Sequence, residues 1–194
     1  MDFRRRREDL LDAAERAIAA KGPGAAMAEV AAEAGYARSA VYAAFPTRTA
    51  LLGALIERHA AVIMLDMFAS GSAEREPRAQ FEAMLDALFG WVESRPGLYW
   101  ALARLPDRPG LLDKLTEAVE AMMSTTLATA DADPEAAATW ARAMIGSLVG
   151  VIEWWLRGEP PLPRGTVVGY LADLNWGGGA ALPPGWLGIT GTAP

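Results

Sequence analysis

The chain has no cysteine and one histidine, His59. Disulfides, thiolate catalysis and cysteine-ligated zinc are excluded at once. No glycine-rich phosphate loop, nucleophile elbow or metal-spaced carboxylate cluster occurs either. With no partner for His59 in the pattern, no catalytic residue, metal site or cofactor is expected, and His59 reads as a packing or surface side chain. Long apolar runs are also missing. The longest, residues 143–152 (AMIGSLVGVI), is about half of the roughly 20 residues a membrane span requires. The start, MDFRRRREDLL, lacks the apolar stretch that follows the basic end of a secretory signal. A soluble cytoplasmic protein with no membrane partner is the expectation.

What is present is helical. Apolar residues make up 52% of 194 positions, ample for a core, and they recur at helical rather than alternating spacing. The fold class expected is all-α. Helices are read over residues 5–21, 28–34, 37–44, 48–69, 78–95, 97–105, 110–130, 134–157 and 164–174, with breaks at Gly22, Gly35, Pro46, Pro96, Pro106 and Pro134. Residues 70–77 read as a loop. The last 19 residues hold six Gly and three Pro, so residues 176–194 read as an irregular tail.

A net charge of −6 argues at first against a nucleic-acid partner, but its distribution is uneven. Residues 1–60 carry nine Lys/Arg against eight Asp/Glu, and the remainder nine against sixteen. A near-neutral head on an acidic body leaves room for phosphate contacts in the head, with only a thin basic excess to supply them.

Residues 28–51, AEVAAEAGYARSAVYAAFPTRTAL, spell two short helices joined by a tight turn. Val30, Ala31 and Ala34 share one face of the first. Gly35 stands where a helix ends and a positive φ is tolerated. The second places Val41, Tyr42 and Phe45 at helical spacing before Pro46, and Thr47 is placed to cap the next helix. This is the pattern of a helix-turn-helix, whose second helix can enter a DNA major groove. The alternative is a short surface helix of an ordinary bundle, with Tyr42 packed in it.

The order Ala34-Gly35, Val41-Tyr42, Phe45, Arg48, Leu51, preceded by the amphipathic helix RREDLLDAAERAIAAKG, resembles the TetR/AcrR family of bacterial transcriptional regulators. That resemblance implies a helix-turn-helix head over residues 1–47, a ligand-binding and dimerising helical body over 48–175, and double-stranded operator DNA, a small-molecule effector and a second copy as partners. It implies that Arg38, Ser39, Ala40 and Tyr42 face DNA, with Arg48 near a phosphate. Arg38 is chemically the best base reader, able to grip guanine through two hydrogen bonds. Arg4 and Arg5, in the run Arg4–Arg7, read either as an arm touching phosphates or as a solvated charge run balanced by Glu8 and Asp9. The sequence departs from the family where hydroxyls are usual: Ala26 or Ala28 replaces the capping Thr, Ala37 replaces a Ser, and Ala43 and Ala44 follow the Tyr.

The body is rich in large soft side chains. By the resemblance, Met84, Leu88, Trp91, Trp100, Met122, Trp140 and Met144 line an effector cavity, with Arg104 or Thr126 orienting the ligand. The plainer reading of such a stripe is core. Ala143, Gly146, Ser147 and Gly150 form a small-residue strip on the eighth helix. With Trp154 and Trp155 it reads as a two-fold pairing surface, or as close packing within one subunit. The functional expectation is a ligand-responsive repressor released by an apolar or aromatic effector. Two rivals are a protein of this shape with weakened or lost DNA binding, and a helical enzyme using the cavity.

Overall fold

The computed structural model describes residues 3–105, 109–158 and 162–177. Over them run nine α-helices and no strand: α1 (Phe3–Lys21), α2 (Met27–Ala34), α3 (Arg38–Ala44), α4 (Arg48–Ser72), α5 (Pro77–Ser94), α6 (Pro96–Leu102), α7 (Leu111–Thr129), α8 (Ala136–Arg157) and α9 (Arg164–Gly177). None is long and apolar enough to cross a membrane.

Helices α1–α3 form the head. Leu10, Leu11, Ala14, Ala17 and Ile18 recur every three or four residues along α1, and all are buried, as one face of a 3.6-residue period requires. They meet Val30 and Ala31 of α2, Val41 of α3 and Phe45 beyond it. Helix α4 runs through one continuous core shared by head and body. Leu51, Leu52, Leu55 and Ile56 lie in its first half, while Ile63 and Met67 in its second half are buried in the body. In the body α4 packs on α5, α7 on α8, and α9 on α5. Arg164 fastens α9 to α5 through Asp86 at 2.8 Å and Glu93 at 2.9 Å. The short α6 lies against both α1 and α4 and so joins body to head. There the Gly97 position leaves only 3.4 Å between a would-be Cβ and the carbonyl oxygen of Ile18.

Helix α6 ends at Leu102, short of the expected 105, and α8 begins at Ala136 in place of 134; two further differences bear on the loop and the tail. Helix α4 continues through Gly71 to Ser72, into the segment expected to be a loop. Gly71 is there for closeness: a Cβ would stand 2.8 Å from Cγ of Met84 on α5. Helix α9 runs on through Trp176 to Gly177, so the first two residues of the expected tail are helical. The rest of that tail, residues 178–194, lies outside the described residues, as does Pro106.

Candidate nucleic-acid interface, cavity and pairing face

The turn between α2 and α3 forms as local chemistry dictates. Gly35 takes a left-handed φ of 67°, and the amides of Gly35 and Tyr36 donate to the carbonyls of Ala32 and Ala31, closing the end of α2. With Ala26 at the N-cap there is no hydroxyl cap, and the Ala26 amide instead donates to Glu29 Oε2 at 2.7 Å. Helix α3 buries Val41 and Ala44 and turns Arg38, Ser39, Tyr42 and Ala43 outward, with Ala40 half-buried. Tyr42 is 49% exposed, so it is a surface ring and not a core one. Pro46 follows, and Thr47 Oγ1 accepts the Ala50 amide at 3.0 Å to cap α4.

The arginines divide into two groups. Residues 4–7 lie inside α1, so this run is the first turns of a helix, not an extended arm. Arg4 and Arg5 are exposed. Arg7 turns inward: it donates to the Ala44 carbonyl at 3.1 Å and its guanidinium sits 4.2 Å over the Phe45 ring. Arg48 also has structural partners, donating to the carbonyls of Ala25 at 3.0 Å and Pro23 at 2.5 Å. It ties the α1–α2 loop to the start of α4, a role that its charge in the sequence did not disclose. Arg48→Ala is therefore expected to lower head stability by about 1–2 kcal/mol, the usual worth of a partly exposed charged hydrogen-bond pair. A urea midpoint measured alongside DNA affinity checks this.

Head and body also meet at the single histidine. His59 of α4 is buried, with Nε2 2.9 Å from Glu15 Oε1 of α1 and its ring 5.5 Å from that of Trp91 on α5. Arg58 adds bonds to Asp12 at 2.6 Å and Glu15 at 3.3 Å. Burial pushes the Glu15 carboxyl up, but the His59 hydrogen bond and the charges of His59 and Arg58 outweigh it and hold the group below its ordinary value. A depressed folded pKa stabilises above the unfolded value, about 4.3, and that contribution is lost as pH falls through the folded one. Between pH 7 and acid conditions the wild type is expected to lose more thermal stability than Glu15→Gln. Equal losses in paired melting curves would remove the ion pair from the account.

A fully apolar cavity of about 150 Å³ lies between α4, α5, α7 and α8. Of the expected pocket residues, Met84, Leu88, Met122 and Met144 line it. Others stand elsewhere. Trp91 packs on His59. Trp100 packs edge-on against Tyr99 at 5.2 Å, and the Arg157 guanidinium lies 5.0 Å over its ring. Arg104 is exposed and paired with Glu153 at 2.6 Å. Thr126 is exposed, its hydroxyl donating to the Met122 carbonyl. Trp140 lines a separate open groove with Phe81, Met123, Met144, Ser147, Asn175 and Trp176. The sequence reading missed Met64, Met67 and Phe81 as cavity residues. The concentration of methionine is the signal that was there to be used: six of the eight in the chain line this one space.

On α8, Ala143, Gly146, Gly150 and Trp154 all face outward. A Cβ built at either glycine meets nothing within 4 Å, so the two glycines serve no contact inside the subunit; they line an open groove with Arg104, Arg142 and Glu153. Trp154 is 56% exposed and Trp155 only 5%. Trp155 belongs to the subunit core: its ring lies 5.5 Å from Phe89 and its Nε1 donates to the Leu162 carbonyl at 2.7 Å. Exposed Tyr170 on α9 adds further apolar area, while Leu174 and Trp176 line the groove beside Trp140.

A helix-turn-helix head carried on a helical body with an enclosed apolar cavity defines the architecture of a DNA-binding regulator with a separate sensing part. Residues 10–55 match the model of the bacterial regulatory proteins of the tetR family, and residues 66–184 match the tetracyclin repressor-like C-terminal domain. The chain belongs to the TetR family. Solved structures agree in fold. A tetR-family transcriptional regulator from Streptomyces coelicolor is 22% identical, with a TM-score of 0.69, covering 90% of this chain and 80% of its own. SmeT, the repressor of the Stenotrophomonas maltophilia multidrug efflux pump SmeDEF, is 20% identical with a TM-score of 0.66, covering 97% of both chains. FadR from Bacillus subtilis, solved with stearoyl-CoA, is 13% identical with a TM-score of 0.67, covering 87% of this chain and 96% of its own.

Proposed function

We propose that the protein is a ligand-responsive transcriptional repressor that binds a two-fold DNA operator as a homodimer in the cytoplasm and is released by a small apolar or aromatic effector. The carrying observation is α3: Arg38, Ser39 and Tyr42 are presented outward on a helix whose inner face is fully packed. A rigid short helix so exposed can enter a major groove, with Arg38 reading a guanine edge. Pairing through Ala143, Gly146, Gly150 and Trp154 would make the two heads a unit able to span successive grooves, about 34–36 Å apart.

An effector in the cavity touches α4 directly, through Met64 and Met67, and α4 begins at the end of the head. A ligand that binds better when α4 is tilted shifts the head spacing by its differential affinity for the two states. Proteins of this fold solved with small molecules include FadR with stearoyl-CoA and SmeT with triclosan. At 13% and 21% identity they share the fold, and the effector class here is argued from this chain's own cavity.

The second reading is a protein of this fold with weakened DNA binding. It is favoured by Ala43 on the outer face of α3 and by Arg48 spending its donors on Pro23 and Ala25. Fluorescence anisotropy with fragments of the protein's own upstream region, at low and moderate salt, separates the two. Saturable binding to one near-palindromic fragment supports the repressor, and no binding even at low salt supports the second reading.

A further inference from the structure

The apolar cavity and the open groove beside it share three walls: Phe81, Met123 and Met144. All three are partly exposed, and two are methionines, whose three rotatable bonds let them swing aside at little cost. The groove would become the mouth of the cavity when they do. The cavity wall presents no polar group, but four side chains of the groove carry one: Ser147 on α8 and Asn175 on α9 with oxygens, and Trp140 and Trp176 with indole N–H groups. No charged side chain lines either space.

The hydrogen bonds of these two residues determine what they offer. Ser147 has one hydroxyl proton, and it goes to the Met144 carbonyl at 2.7 Å. Asn175 donates through Nδ2 to the Leu171 carbonyl at 2.9 Å, which fixes the orientation of its amide and leaves Oδ1 on the other side. Oδ1 stands 3.3 Å from Ser147 Oγ, with the serine proton already committed elsewhere. Two acceptor oxygens thus face each other at the cavity mouth, and a ligand donor would complete the arrangement.

We propose that the effector is a small neutral amphiphile. Its single ring or short chain fills the methionine cavity, and its one hydroxyl proton is shared between Ser147 Oγ and Asn175 Oδ1, 3.3 Å apart, in a three-centre hydrogen bond. The size follows from the space: a dry apolar cavity of about 150 Å³ suits one benzene-sized ring. The sign follows from the oxygens, since a carboxylate has no proton to give and would bring its charge to a mouth without a cation. This specificity rests on the reading of the cavity as the effector site.

The test is calorimetric titration of the full chain, without DNA, using 4-ethylphenol, 4-ethylanisole, ethylbenzene and 4-ethylbenzoate. These share one apolar body and present a donor, a neutral acceptor, no head and an anion. The phenol is expected to bind at least about tenfold more tightly than the ether or the benzoate, the ratio a hydrogen bond gained against one left unmade supports. Ser147→Ala and Asn175→Leu should each collapse the phenol's advantage over ethylbenzene while ethylbenzene itself binds as before. An ether or benzoate binding as tightly as the phenol would overturn the proposal. So would an unchanged ratio in both variants. If neither the phenol nor ethylbenzene binds, the cavity is not the effector site and the functional reading loses its sensing part too. Selective phenol binding by a chain that ignores DNA would keep this inference and remove the repressor.

Discussion

Arg38→Ala is expected to abolish discrimination between operator and unrelated DNA while leaving the protein folded. Arg38 opens α3 and is exposed, so truncating it leaves no cavity. A bidentate arginine–guanine contact is worth about 1–3 kcal/mol of discrimination. In a dimer it is lost twice, so specific affinity should fall by roughly 30-fold to 20,000-fold. Non-specific binding at low salt should change much less, because phosphate contacts carry it. If Arg38 instead meets a phosphate, the loss spreads evenly over all sequences and the salt slope falls by about one per head. Anisotropy curves on matched and scrambled fragments at two salt concentrations tell these apart.

The second large effect lies at adjacent tryptophans. Trp155→Ala is expected to cost about 3–5 kcal/mol, the range for emptying a large buried aromatic site. It removes the contact with Phe89 and the bond to Leu162 that positions the chain before α9. Against a typical total of about 5–15 kcal/mol, that leaves a protein close to unfolding at physiological temperature. Trp154→Ala should melt near wild type as a monomer but shift the monomer–dimer equilibrium toward monomer, because that ring is spread on the outer face of α8. Thermal melting paired with sedimentation at several concentrations reads both. A Trp154→Ala protein as dimeric as wild type would move the pairing face elsewhere.

The head was legible because its determinants are local. Gly35 ends α2, Pro46 ends α3 and Thr47 caps α4 by chemistry confined to a few neighbouring residues. The body was less so, because a helix's rotation against its neighbours is a tertiary matter. Helix α4 is apolar on more than one side, and nothing in its sequence says that Met64 and Met67 turn to the cavity while Leu51 and Leu55 serve the head. Trp154 and Trp155 are chemically identical neighbours about 100° apart around the helix, and only the packing of α5 and the carbonyl of Leu162 separate their fates. The structural partners of Arg48 and Arg7 were hidden for a related reason. Cations near a recognition helix suggest phosphates, yet their partners are backbone carbonyls 23 and 37 residues away in the chain. Trp91 was drawn toward the pocket by residue type alone, whereas His59 holds it at the junction of head and body.

Coupling between cavity and head is the central claim, and one titration addresses it directly. The operator fragment that binds most tightly is held by the full chain at moderate salt while 4-ethylphenol is added, with anisotropy followed to saturation of the cavity. Release of the DNA is predicted, with an apparent operator affinity lowered about 5- to 150-fold, the usual range of allosteric coupling, and by the same factor a weaker hold on the phenol when DNA is bound. Undiminished operator binding with the cavity demonstrably full would contradict it.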